Sequence, residues 1–244
     1  MKSKIFLLLL FSTFICQAQF KDLVKQATNK VNQTAGSNFS TNGLDVSAGL
    51  KEALNAGISK QVSKLTATDG FYKNTAVKIL MPDELKRVDK TLRQMGMSKL
   101  ADDGIKALNR AAEDAVKEAT PIFVTAVKDM KVTDAKNILM GNENAATVYL
   151  KQSTSAPLYS KFSPVVQESI GKVGADKIWA SIITTYNKLP LVSKVNPDIT
   201  DYVTNKAMDG VFKMIAVEEK NIRGNLGSRT SDLLKKVFAL QDKK

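Results

Sequence analysis

From Leu44 onward, apolar side chains recur at helical spacing almost without interruption. Val46, Leu50, Leu54, Ile58, Val62 and Leu65 fall four or three residues apart and predict one face of a helix of about five turns. Thr68-Asp69-Gly70 breaks that pattern, and a short extended piece through Val77 and Ile79 leads to Pro82. Pro82 opens a second helix carrying Leu85, Val88, Leu92 and Met95, which Gly96 ends. A third, over 98–119, is expected to bury Leu100, Ile105, Leu108, Ala112, Ala115 and Val116. Pro121 then marks either a kink or a new start for the apolar face that continues to Met130. Thr133 or Asp134 caps a short helix that stops at Gly141. Further helices are predicted over 144–153, 157–173, 175–187, 198–223 and 231–241, with one clear late loop over 191–196 between Pro190 and Pro197.

Strand signals are nearly absent, each predicted helix has one apolar side, and the connections are short. The expectation is an all-α protein: a single irregular domain of about eight to ten helices over 44–244. No repeat of 20–50 residues stands out, which disfavours a solenoid. Ahead of the domain, Phe20, Leu23, Val24, Ala27 and Val31 suggest a short helix, and the polar run over 32–43 reads as a tether, so 19–43 is expected to be a short helix and flexible linker.

The first eighteen residues read as an address. Lys2 and Lys4 precede an almost unbroken apolar run, and Cys16-Gln17-Ala18 supplies the small residues of a cleavage site between Ala18 and Gln19. The run is shorter than the roughly 18–20 residues that span a bilayer. Ile15 fills the place where a lipoprotein signal carries a small residue before its cysteine, so a lipid anchor on Cys16 is disfavoured. The expectation is an exported protein, periplasmic or envelope-associated, whose mature chain has no transmembrane segment.

Composition narrows the chemistry. The 244 residues include one cysteine and no histidine, and the cysteine lies in the leader. A mature chain of this kind has no Ser-His or Cys-His couple, no disulfide and no metal site built on the usual nitrogen and sulfur ligands. No phosphate loop, dinucleotide fingerprint, calcium loop or nucleophile elbow occurs, and no cofactor or metal is expected. Ser169-Ile170-Gly171-Lys172 matches a serine–lysine pattern, but its companion motifs are missing. The net charge of +12 leaves the chain basic even after Lys2 and Lys4 are lost. Its lysines alternate with acids and lack interleaved aromatics, so nucleic acid is not an expected partner, whereas an anionic envelope component is compatible with the charge.

Polar residues on apolar helix faces are the informative ones. Glu219 interrupts the stripe Phe212, Ile215, Ala216, Ile222 and has Arg223 one turn on. Asn109 and Glu113 border Leu108, Ala112 and Val116, with Arg110 three residues before Glu113. Such a set forms either a polar pocket around a ligand or structural ion pairs that fix helix register, and ion pairs are the commoner outcome. In the last helix Thr230 or Ser231 is a natural N-cap, and Asp232 suits the positive end of the helix dipole.

Seven segments in order carry a family resemblance: GLKEALNAGISKQV at 49–62, TDGFYKNTAVKILMP at 68–82, LNRAAEDAV at 108–116, EATPIFVTAVKDMKVTDAKNIL at 118–139, AATVYLKQST at 145–154, DYVTNKAMDGVF at 201–212 and EEKNIRGNLGSRTSDLLKKVF at 218–238. Together they resemble the domain of unknown function 4197 family of exported helical bacterial proteins. The resemblance implies a helical envelope protein and supplies no activity. It also marks Asn109, Arg110, Glu113, Glu219, Arg223, Arg229 and Asp232 as motif positions. Leu226 stands where the family has proline after asparagine, which leaves the shape of that loop open.

Three functions are compatible with this sequence. The first is a non-catalytic binding or interaction protein whose partner is an envelope component, with an anionic or apolar ligand. The alternatives are a hydrolase using paired carboxylates such as Glu113 and Glu219 on a glycan or ester, and a structural envelope protein docked through its N-terminal helix and basic tail.

Overall fold

The computed structural model describes residues 40–41, 44–94, 96, 98–172, 174, 176–177, 180, 184, 187–188, 194 and 198–242. The predicted leader with its cleavage position, the predicted short helix and most of the predicted tether, nearly all of the predicted 175–187 helix and the predicted 191–196 loop lie outside the described residues, apart from Lys194 in that loop and a few separate residues of the helix.

The protein is all-α. A minimal antiparallel ladder, β1 (Ser40–Thr41) with β2 (Leu44–Asp45), leads into α1 (Val46–Thr66). A turn-rich strap over 67–82 and a 3-10 turn at Asp83–Leu85 lead to α2 (Lys86–Gln94). Then follow α3 (Ser98–Val116), α4 (Ala119–Asp129), α5 (Val132–Leu139), α6 (Ala145–Gly171), α7 (Ile199–Gly224) and α8 (Asp232–Asp242). Helices α3, α6 and α7 pack against one another, while α1 packs against α4, α5, α7 and α8. Among the described residues no helix is long and apolar enough to cross a membrane.

The α1 stripe is buried as its spacing requires, with Val46, Leu50, Leu54, Ile58, Val62 and Leu65 all in the core. Asp45 caps the helix by accepting the Ala48 N–H at 2.9 Å. Likewise Asp198 caps α7 through the Thr200 N–H at 2.8 Å, and Ser231 caps α8 through the Leu234 N–H at 3.1 Å. Pro121 proves to be a new start, in the first turn of α4, where its missing N–H has no intrahelical partner to lose.

Three expectations about elements need correction. The 144–153 and 157–173 helices are one helix, α6, which continues through Pro157 and Pro164. An interior proline costs about 3 kcal/mol. Here Leu150, Thr154, Leu158, Phe162, Val166 and Ile170 form an unbroken stripe at four-residue spacing, every member almost wholly inaccessible, and that burial outweighs the proline cost. Helix α5 begins two residues earlier than expected, with Lys131 rather than Thr133 or Asp134 at the N-cap, and Asp134 instead accepts the Lys131 N–H at 3.3 Å. The piece after Gly70 is a series of turns rather than an extended strand. Lys73 N–H bonds to Asp69 O and Lys78 N–H to Asn74 O, and only the stretch beyond straightens.

Two close approaches set the helix spacing. Where α1 meets α8, a Cβ on Gly49 would lie 2.5 Å from Val237 Cγ2, and where α7 meets the strap, one on Gly210 would lie 2.6 Å from Phe71 Cε1. Gly49→Ala is therefore expected to destabilise. Overpacking costs about 1–3 kcal/mol, more than the roughly 1 kcal/mol of helix propensity gained. A denaturation double-mutant cycle checks this, because Val237→Ala should cost less in the Gly49→Ala background than alone.

Candidate functional site

Six of the seven residues singled out by the sequence, all but Asp232, fall in two separate polar groups that share no hydrogen bond among the described residues. In the first, Glu113 projects from α3 into the strap. Its Oε1 accepts the N–H of Phe71 at 3.0 Å and of Tyr72 at 3.3 Å, and its Oε2 accepts from Arg110. Arg110 also donates to Asp69, which occupies the left-handed region at φ 69°. An aspartate tolerates that conformation better than most residues, and two basic partners, Arg110 and Lys73, hold it there. One turn earlier on α3, Asn109 closes both backbone groups of Ile79. Its Oδ1 accepts the Ile79 N–H at 2.8 Å and its Nδ2 donates to the Ile79 carbonyl at 2.8 Å, and also to Ile105 O at 2.7 Å. Asn109 and Glu113 thus clamp the strap to α3 at both ends, through buried groups that would otherwise lack partners.

The second group joins helix ends. Glu219 on α7 accepts the N–H of Ala146 at 2.9 Å and of Thr147 at 2.8 Å, plus the Thr147 hydroxyl at 2.8 Å. Those N–H groups belong to the first turn of α6, where no intrahelical acceptor exists and the dipole favours an anion. Glu219 also accepts from Arg223 Nε at 3.0 Å and Nη2 at 2.9 Å. Arg223 in turn donates to Ile138 O at 2.8 Å and Leu139 O at 3.0 Å, the last carbonyls of α5, and to Gln241 Oε1 of α8 at 2.9 Å. The ion pair therefore sets its negative member at a helix start and its positive member at a helix end. Arg229, 2% exposed, repeats the device for α7. It donates to Ile222 O at 3.1 Å and Arg223 O at 2.9 Å, pairs with Asp242, and lies over the Phe238 ring.

Asp232 stands apart, exposed at the start of α8 and paired only with Lys235 at 3.3 Å among the described residues. Sequence reasoning missed Glu218, which is buried and accepts from Lys60 at 2.6 Å and Gln61 at 2.7 Å, tying α7 to α1. Its signal was available, since Glu218 follows Ile215 by one turn on the same stripe. Leu226, where the family carries proline, sits 67% exposed in a 3-10 turn that Asn225 caps through the Gly227 N–H at 2.9 Å.

Open space lies elsewhere. The cavity that touches Glu219 and Arg223 has a volume of about 20 Å³, room for a single water. A cleft of about 770 Å³ runs between the outer side of the strap and the first half of α7, and a groove of about 690 Å³ lies between α4 and α6. Among the described residues no three acidic side chains are placed to hold a metal ion.

Hydrogen bonding to Arg229 holds the Asp242 carboxyl below its usual range, and Lys73, then Arg110, do the same for Asp69. A depressed carboxylate contributes stability that is complete above its unfolded pKa and is lost as pH falls through its folded pKa. Stability should therefore hold from neutrality down to about pH 5 and decline below about pH 4. In urea unfolding at stepped pH, the gap between wild type and Asp242→Asn should narrow as pH falls below the unfolded value; a gap that stays constant into strong acid would contradict this role for the pair.

No curated protein and no solved structure matches the chain. The family model of proteins of unknown function DUF4197 matches residues 40–239, which takes in the strap, α1 to α7 and all but the last three residues of α8, and the chain belongs to that family.

Proposed function

We propose that this is an exported protein of the bacterial envelope that works by binding rather than by catalysis. One observation carries the reading. Both carboxylate oxygens of Glu113 and of Glu219, the acids best placed in the sequence for paired-carboxylate chemistry, already accept bonds from backbone N–H groups and an arginine. A general acid or base needs an oxygen within reach of a substrate proton, and these oxygens face helix ends and the strap instead. Freeing one would leave orphaned N–H groups and an unpaired guanidinium in a low-dielectric interior. The export half rests on the leader pattern described above.

The test is to express the full-length gene in a bacterial host, fractionate the cells, and measure the purified protein by native mass spectrometry. The expected results are an envelope fraction, a mass starting at Gln19, and a retained ligand or partner. Cytoplasmic retention would overturn the export half. Absence of any retained mass, or turnover of a glycan or ester that Glu113→Gln abolishes, would overturn the binding half.

A further inference from the structure

The cleft between the strap and α7 is built for an anion, and we propose that it binds a phosphate ester carrying an apolar group. This deepens the binding reading above and rests on it. The cleft is lined by five lysines, Lys78 and Lys86 from the strap side, Lys206 and Lys213 from α7, and Lys194 from the segment ahead of α7, against three aspartates, Asp83, Asp201 and Asp209. Among the described residues only Lys86 forms an ion pair, with Asp83 at 2.7 Å. Among the described residues the other four ammonium groups have no carboxylate at ion-pair distance. The Lys78 ammonium lies 4.3 Å from the Tyr72 ring centroid and the Lys206 ammonium 5.7 Å from that of Tyr202, so each charge rests over an aromatic face rather than on a carboxylate.

The walls are fixed before any ligand arrives. The Tyr202 hydroxyl donates across to Leu80 O at 2.9 Å, and Lys213 Nζ donates to Ala76 O at 2.8 Å. Behind the strap, Asn109 holds Ile79 and Glu113 holds Phe71 and Tyr72, so the buried polar residues of α3 set the shape of this wall. Gly210 removes the side chain where α7 approaches the strap most closely. Preorganised donors lose little entropy on binding.

The ligand class follows from the lining. Lysine ammoniums are compact point charges with three donors each, suited to phosphate oxygens. Val77, Ile79 and Met81 give the cleft an apolar floor, and Leu80 stands 54% exposed at its rim, beside the lysines. A charged head with an apolar continuation matches both features. A membrane phospholipid headgroup and a free phosphate ester share this chemistry.

The protein, expressed from its full-length gene, is titrated with inorganic phosphate, with short-chain phosphatidylglycerol below its micelle concentration, and with vesicles of phosphatidylglycerol or of phosphatidylcholine. Binding is expected for the short-chain phosphatidylglycerol, weaker for inorganic phosphate, and weakening with salt. Tight binding to phosphatidylglycerol vesicles but not to the soluble ester identifies the membrane headgroup; comparable binding to both identifies a free ester. Lys78→Glu with Lys206→Glu should raise the Kd by about tenfold or more, as expected for lysines that face an anionic group. Lys64→Glu with Lys236→Glu, an equal charge change at exposed positions outside the cleft, should leave it within about twofold. If the reversed pair does not fold by circular dichroism, Lys78→Gln with Lys206→Gln replaces it. Equal losses from both pairs, or no binding of any phosphate probe, overturns the proposal. A mass retained in native spectrometry despite such a failure would leave the binding reading standing, whereas no retained mass would remove both.

Discussion

Arg223→Ala is expected to destabilise the folded chain by about 3–5 kcal/mol, the cost of leaving the Glu219 carboxylate buried without its cation. For a domain of this size that is a fall in Tm on the order of 10 °C. Glu219→Ala should cost a similar amount, since it strands Arg223 together with the first-turn N–H groups of α6. The informative variant is the double replacement Glu219→Leu with Arg223→Met. A buried pair that only neutralises itself can often be exchanged for apolar residues at no net cost. Here each ion also satisfies backbone groups at a helix end, Ala146 and Thr147 for the acid, Ile138 and Leu139 for the base. The double variant should therefore remain destabilised by about 2 kcal/mol or more, because the Ala146 and Thr147 N–H groups and the Leu139 carbonyl lose these partners, while Ile138 O keeps the Gly141 N–H. Denaturant unfolding of the four proteins measures this, and a double variant as stable as wild type would reduce the network to a simple ion pair.

Asn109→Ala should cost about 2–4 kcal/mol by stranding both the N–H and the carbonyl of Ile79, a residue only 2% exposed. Asn109→Asp separates the two bonds. At neutral pH the aspartate can still accept from Ile79 N–H but faces the carbonyls of Ile79 and Ile105 without a proton, so it should be no more stable than the alanine variant. As acidification protonates it, one donor returns and the deficit relative to Asn109→Ala should shrink or reverse, opposite in sign to the acid loss expected of Asp242. Thermal unfolding of both variants across pH reads the effect, and parallel pH curves would contradict it. Because Asn109 fixes the wall of the lysine-lined cleft, binding of the phosphate probe should weaken in Asn109→Ala even at temperatures where the variant is folded.

The two polar groups were legible as positions and not as arrangements. Glu219 stood out because it interrupts an apolar stripe, and its pairing with Arg223 followed from one-turn spacing. That Glu219 reaches Ala146, 73 residues away in the chain, had no local signal. Arg229 lies in a short loop outside any periodic face, so helix geometry alone did not select it, and only the family motif did. The strap was misread as partly extended because Val77 and Ile79 alternate with polar neighbours over too short a run to distinguish a strand from a turn held by tertiary contacts. The two prolines of α6 misled for a related reason. Proline reports a local cost, and the compensating stripe from Leu150 to Ile170 acts only when α3 and α7 cover it.

The amino-acid order by itself determined the helical class, the buried faces of α1 and α7, the Ser231 cap of α8, the absence of histidine and the presence of a single cysteine. These depend on spacing, on side chains within one turn of each other and on composition. Tertiary structure alone decided which helix ends Glu219, Arg223 and Arg229 satisfy, that Asn109 and Glu113 hold a strap, and that the lysines of strap and α7 face one cleft. Apart from Arg229, whose carbonyl partners are six and seven positions away, each of those joins residues tens of positions apart, and only the packing of the helices brings such residues together.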